Sequence, residues 1–527
     1  MMNARVPAMR NQAWIGLGVF GFALWLAWEV GGKIAAADMR SIAFVTLGFA
    51  GCVIAVTVLR NWRTGFYMFL GWLLFEDLAR KYLGNATALF FGKDILALFI
   101  YVSLFAAIRN GREKSFRPPF LLFLSLFLWL GVLQVFNQNS PSLLYGLLGL
   151  KLYFFYIPLM YVGYALIRND EDLRKFLIVN VVLGIGIASL GITQAILGHS
   201  FLNPTTLAPE LRELGQLDRV TPISNQVFSL PTAVFVSSGR YFLYLVMIEI
   251  LAIGTAAYLL YYTHRNRKMT FIAIGLIGAG ILLSGSRGAV VYGTASTLVL
   301  AAGFLWGAPW RERQAHRMLK AIRRSFIVAA AGLTAILLLF PNEAGSRLAF
   351  YSETLNPKSS GYEISSRIWD YPIGNLMTAF ARPNWALGNG IGTASLGTQY
   401  VSKALGRRAP DLWVEEGYGQ MIVEMGIIAP FLWLLWTGAL LYQSWGVVRR
   451  LRQTRLFPIA FAIFWYAFLL LYPFTYGGLA PYHNFVSNAY LWLLVGILFR
   501  LPELLTATLM PDATSPSRPR ARGGFQF

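Results

Sequence analysis

MTFIAIGLIGAGILLSGSRGAVVYGTASTLVLAAGFLWG, residues 269–307, places two apolar segments on either side of Ser284-Gly285-Ser286-Arg287-Gly288. As a helix, Met269 to Ser284 rises only about 24 Å, short of a hydrocarbon core ~30 Å thick. The interruption therefore sets Arg287 slightly below the outer surface of a bilayer. An arginine at that depth costs roughly 2.5 to 3.5 kcal/mol on insertion scales, so it calls for a partner, a watery cavity or a path to the headgroups. Apolar segments of similar length recur along the chain. A mean hydropathy of +0.54, with 56% hydrophobic and 13% charged residues, excludes an ordinary soluble domain, in which roughly a quarter of residues are charged.

Spans are predicted near residues 14–30, 41–59, 64–77, 89–108, 118–136, 142–166, 176–197, 241–262, 269–284, 288–307, 325–340, 420–442, 457–475 and 484–500. The third is short and runs into Glu76, Asp77, Arg80 and Lys81, which reads either as a span or as a re-entrant or interfacial segment. The expected fold is all-α, a polytopic transmembrane helical bundle of about 12–14 spans over residues 1–510. Arg5 and Arg10 before Trp14–Val30, with Ala35-Ala36-Ala37, imitate a signal peptide, but an uncleaved first span is the preferred reading.

A net charge of +21 would suggest nucleic acid in a soluble chain. Here more than half of the 45 Lys and Arg fall in clusters between alternate spans, such as Arg109/Arg112/Lys114/Arg117 and Arg311 to Arg324. The positive-inside rule puts those clusters and both termini in the cytoplasm. Membrane lipids, not nucleic acid, are the expected surroundings. Two substantial loops, 198–240 and 341–419, then lie outside, and a Pro-, Ser- and Arg-rich tail, 511–527, is expected to be disordered and cytoplasmic. The only cysteine, Cys52, lies in an apolar segment, and the four histidines form no HExxH or HxxxH pair, so neither a disulfide framework nor a protein-held metal is expected.

Residues able to do chemistry concentrate on the outer side. Arg287 and Arg367 are candidates to hold phosphate oxygens bidentately. Arg347 and Arg382 in the same outer loop, Arg240 at the start of its span and His483 beside Asn484 are further candidates for contact with substrate. Glu416, Gln420 and Glu424 share a helical face at i, i+4 and i+8, so one carboxylate there could deprotonate an acceptor hydroxyl. The alternative for these acidic residues is simple dipole stabilisation at a helix start. Lys151 and Glu249, both near mid-depth, are candidates for a pair across helices.

Taken in order, these pieces resemble the O-antigen ligase and polymerase superfamily of bacterial envelope glycosyltransferases. The residues that carry the resemblance are Ser284-Gly285-Ser286-Arg287-Gly288-Ala289, Arg367 with Trp369, Leu387-Gly388-Asn389-Gly390-Ile391-Gly392 and Glu424-Met425-Gly426-Ile427-Ile428. They cover roughly residues 270–440. Phe75-Glu76-Asp77-Leu78-Ala79-Arg80-Lys81 also looks like a segment seen in exopolysaccharide-polymerase members. The resemblance implies an inner-membrane enzyme with a large, partly helical periplasmic loop. Such an enzyme transfers a glycan from a polyprenyl-diphosphate carrier to an acceptor hydroxyl at the periplasmic face, without a cofactor, alone or beside other polysaccharide assembly proteins. Arg287 and Arg367 match arginines thought to hold the diphosphate. Family ligases carry a His-Asn pair nine residues before the Glu-x-Gly, where this chain has Glu415-Glu416. Alignment favours Glu415 as the base and the helical stripe favours Glu416. Polymerisation of repeat units is the leading expectation, with a ligase acting on a lipid acceptor, a non-enzymatic flippase and a secretion-complex scaffold as alternatives.

Overall fold

The computed structural model describes residues 51–309 and 338–509, except 85–86, 205–210, 212–217, 262–266, 396 and 479, together with positions 323, 327 and 334. The predicted spans at 14–30 and, for the most part, 41–59 and 325–340 lie outside the described residues, as does the tail. Among the described residues the fold is helical, with one two-stranded ribbon. Among these residues eight helices are long and apolar enough to cross a membrane, and three shorter apolar helices accompany them.

The chain divides into two compact units. The smaller comprises residues 1–70 and 94–106. Its described part contains the helical stretch Gly51–Arg60 (α1), in which the Leu59 carbonyl accepts a hydrogen bond from Ser103 at 3.0 Å. Cys52 is exposed there.

The larger unit comprises residues 71–93 and 107–527. In chain order the remaining helices are α2 (Trp62–Leu83) and α3 (Thr87–Arg109), whose residues are divided between the two units, then α4 (Leu121–Val135), α5 (Leu143–Phe154), α6 (Leu159–Leu166) and α7 (Asp170–Leu197). The ribbon β1 (Asp218–Val220) and β2 (Val227–Ser229) follows, antiparallel with Arg219 opposite Phe228. Then come α8 (Ser238–Leu259), α9 (Arg267–Leu283), α10 (Arg287–Gly307), α11 (Pro341–Leu355), α12 (Tyr371–Ala381) and α13 (Thr398–Leu405). The chain closes with α14 (Gly417–Met425), α15 (Ile428–Arg450), α16 (Phe457–Leu471), α17 (Pro473–Gly477), α18 (Ala480–His483) and α19 (Phe485–Leu509).

Local chemistry sets where these helices begin and break. Asn169 caps α7 by accepting from the Asp172 amide, and Asp170, Glu171 and Asp172 fill a first turn that favours negative charge. Ser286 caps α10 by accepting from the Ala289 amide, and Gly285 turns the chain there with φ +67°. A Cβ on Gly285 would lie 2.5 Å from the Phe228 ring, so only glycine fits. The segment predicted as one span at 420–442 is two helices, because Gly426 takes φ +85° and ends α14. The third predicted segment is one continuous helix, α2, with Glu76, Asp77, Arg80 and Lys81 all buried.

Packing separates inner from outer helices. α8 and α19 are buried over most of their surface, whereas α4, α10 and α15 leave residues such as Leu122, Leu133, Leu298, Leu305 and Phe431 exposed. Apolar surface on that scale suits lipid rather than water. α6 and α19 approach backbone to backbone: a Cβ on Gly163 would fall 2.0 Å from the Leu493 carbonyl oxygen, and one on Gly496 would fall 1.9 Å from that of Met160. The predicted pair of Lys151 and Glu249 does not form. Glu249 accepts instead from the Thr297 hydroxyl at 3.2 Å, and the Lys151 ammonium rests 4.2–4.3 Å from the Phe90 and Phe91 ring centres.

Candidate functional site, an arginine-lined cavity

A cavity of about 740 Å³ opens where α8 and α10 begin, against the ribbon, the turn around Glu363 and the segment before α14. Four arginines line it, Arg219, Arg240, Arg287 and Arg367, with two carboxylates, Glu363 and Glu415. Its formal balance is therefore +2, and an anion is the ligand such a balance favours.

Arg287 reaches the cavity because the Ser286 cap starts α10 at this point. Its Nη1 lies 2.6 Å from Glu363 Oε2, an ion pair without the alignment of a hydrogen bond, and Nη1 is otherwise buried without a partner. Arg367 follows Glu363 by one turn, in a π-helical segment, Ser366–Asp370, that precedes α12. Its Nε lies 3.8 Å from the same Glu363 oxygen, and its guanidinium stacks over the Tyr371 ring at 5.0 Å. Two arginines from separate stretches of the chain thus share one half-exposed carboxylate.

Arg240 enters from the first turn of α8, held by a 2.8 Å ion pair to buried Asp77. Asp77 also takes Arg80 at 3.0 Å and the Val236 amide at 3.3 Å. The charged end of α2 is therefore a buried support behind the cavity wall.

Glu415 and Glu416 are separated by the geometry. Glu415 lines the cavity and accepts a hydrogen bond from the Tyr371 hydroxyl. Burial, with Glu415 beside it, pushes the Tyr371 hydroxyl up to about 12, so it stays a donor at neutral pH. Glu416 turns inward instead and caps α14, accepting from the Tyr418 amide at 2.9 Å and from the Gly419 amide. Burial raises its carboxyl to about 7, against the lowering effect of those amides. Of the acidic pair, Glu415 therefore faces the cavity and Glu416 caps the helix.

His483 lines the cavity beside Asn484. Burial, and next Arg240, depress its pKa to about 3, so the ring is neutral. Its Nε2 lies 2.8 Å from Gln420 Nε2, which also donates to Glu424 Oε1 at 3.2 Å. Glu424 further accepts from the Tyr153 hydroxyl and the Ala394 amide, both at 3.0 Å. The Gln420/Glu424 stripe is a buried network beneath the cavity. Asn484 spends its carbonyl on the amides of Val486 and Ser487 at the start of α19.

Two predicted contact residues do not line the cavity. Arg347 is 1% exposed, its guanidinium bound to Glu343 Oε2 at 3.0 Å and to the carbonyls of Ala195 and Ser229 at 3.2 and 2.8 Å. Those internal acceptors make it a staple between α7, the ribbon and α11. Arg382 donates to the carbonyls of Asp411 and Trp413 at 3.0 and 3.1 Å, which steadies the segment leading to Glu415. The Leu387–Gly392 run is likewise a clasp. The amides of Asn389 and Gly390 donate to the carbonyls of Val423 and Glu424 at 2.9 and 3.0 Å, and a Cβ on Gly388, at φ +87°, would lie 2.6 Å from the Glu424 carbonyl oxygen. Nothing in the sequence pattern marks Arg219 or Tyr371. Neither sits in a motif, and only proximity in the fold reveals them. No known protein family, curated protein or solved structure matches the chain.

Proposed function

We propose that the protein is an inner-membrane glycosyltransferase that moves a glycan from a polyprenyl-diphosphate carrier to an acceptor hydroxyl at the periplasmic face, polymerising exopolysaccharide or O-antigen repeat units. One observation carries this reading: Arg287 and Arg367, far apart in sequence, meet on Glu363 in a cavity that also presents Glu415. The predicted order of motifs supports it.

In this reaction Glu415 takes the proton from the acceptor hydroxyl, and the freed oxygen attacks the anomeric carbon of the donor sugar. The bond between that carbon and the phosphate oxygen breaks, and its electron pair leaves on the diphosphate. Arg287 and Arg367 neutralise the departing charge inside a partly enclosed site, where fixed cations stabilise the transition state more than water does. Tyr371 orients the Glu415 carboxylate, and Asp77 holds Arg240 toward the bound anion. The test is to supply a polyprenyl-diphosphate oligosaccharide to the purified protein and to its Arg287→Ala and Arg367→Ala variants and to follow glycan chain length. Shortened or absent polymer in both variants is expected. Undiminished polymer at normal protein levels would overturn the assignment, and movement of the lipid across the bilayer without polymer would assign a flippase instead.

A further inference from the structure

The ribbon carries a cation that the transfer just described does not use. Arg219 stands opposite Phe228 in β1–β2, and its side chain lines the cavity. Its guanidinium lies 5.6 Å from the centre of the Phe350 ring, and that of Arg287 lies 5.1 Å from the same centre. One aromatic ring thus gathers two like charges. Asp77 partners Arg240, and Glu363 partners Arg287 and Arg367, but among the described residues no ion pair is found for Arg219. Burial lowers its pKa first, then the neighbouring Arg287 and Arg367, with Glu363 the lesser counterweight.

Arg219 is also held in place. Glu353 of α11 accepts from the amides of Ile223 and Ser224 at 2.7 and 3.1 Å, which pins the turn of the ribbon. Phe228 packs edge-on against Phe350, with centroids 5.4 Å apart, and Arg347 grips the Ser229 carbonyl at 2.8 Å. A guanidinium fixed among other cations is destabilised until an anion joins them.

We infer that Arg219 is a further guanidinium of a diphosphate-binding site, joining Arg287 and Arg367 around one ligand. The ligand class rests on the transfer reading above, and the inference adds the residue that receives the charge released in the reaction. A glycosyl diphosphate diester carries two negative charges. When the bond from the anomeric carbon to oxygen breaks, the electron pair stays on the leaving diphosphate, which gains a third charge, while the acceptor proton goes to Glu415. Arg219 therefore interacts more strongly with the transition state and the product than with the bound donor, and its loss lowers kcat more than it raises KM.

The experiment uses the full chain in lipid nanodiscs, with calorimetric titration of inorganic pyrophosphate and of geranylgeranyl diphosphate. Arg219→Gln should weaken both by roughly 10- to 100-fold, the loss of one charge-assisted contact, and Arg219→Lys should weaken them less. The thermal midpoint should be unchanged in both variants. In that supporting case, tighter binding of the prenyl compound assigns the ligand to a lipid, and equal binding assigns it to a free diphosphate. Unchanged affinity in Arg219→Gln, with binding abolished in Arg287→Ala, would overturn the role of Arg219 and leave the transfer reading standing. Failure of the unaltered protein to bind either probe would overturn both.

Discussion

Replacing Glu363 with Gln should tighten anion binding. The carboxylate occupies the place a ligand's phosphate would take, 2.6 Å from Arg287 and 3.8 Å from Arg367. Two unit charges 4 Å apart interact by about 4 kcal/mol at an effective dielectric of ~20. The Glu363 side chain is 39% exposed, so solvent and counterions reduce the useful part to about 1 kcal/mol, the upper end for an exposed pair. Removing that competitor should therefore raise affinity for inorganic pyrophosphate by about fivefold. Calorimetric titration of the two proteins at low and at raised salt measures it. The difference should shrink as salt rises, because the competing interaction is screened. Weaker binding by Glu363→Gln, with an unchanged thermal midpoint, would refute the reasoning, since it would mean that the carboxylate organises the arginines rather than competing for them.

Glu415→Gln should lower turnover by roughly 10²- to 10⁴-fold, the usual worth of a general base, while pyrophosphate affinity is maintained. Loss of polymer together with loss of anion binding would argue against a proton-transfer role. Glu416 should act on stability instead. Burial raises its carboxyl from the ordinary 4.5 to about 7 in the folded protein, so the folded state binds the proton more tightly. That contribution is fully present below pH 4.5 and is lost as pH rises toward about 7. Thermal midpoints across this window should decline in the unaltered protein, and Glu416→Gln should flatten the decline; parallel curves would contradict the burial argument.

How far the sequence could be read depends on the kind of information each feature carries. Hydropathy over residues 269–307 or 457–475 reports directly on helices that meet an apolar medium, and α9, α10 and α16 lie close to those ranges. Breaks inside an apolar run were less legible, because Gly426 ends a helix only through a backbone angle that composition does not record. At the site, Arg287 and Arg367 stood out by motif and lie on one cavity. Arg347 looked equivalent to them, since a sequence displays a guanidinium but not the carbonyls of Ala195 and Ser229 that consume it. Arg219 was hidden for the opposite reason. It lies in a polar loop with no pattern around it, and its meaning comes from the Phe350 ring that it shares with Arg287.

The seam between α6 and α19 has a consequence for how the molecule tolerates change. Most interfaces between helices absorb a mutation by rotating side chains, but here carbonyl oxygens of Leu493 and Met160 stand where a methyl group would go. An added carbon atom at Gly163 or Gly496 can be accommodated only by prising two whole segments apart. The pair therefore behaves as a single beam, and drift in sequence is confined to its outward faces.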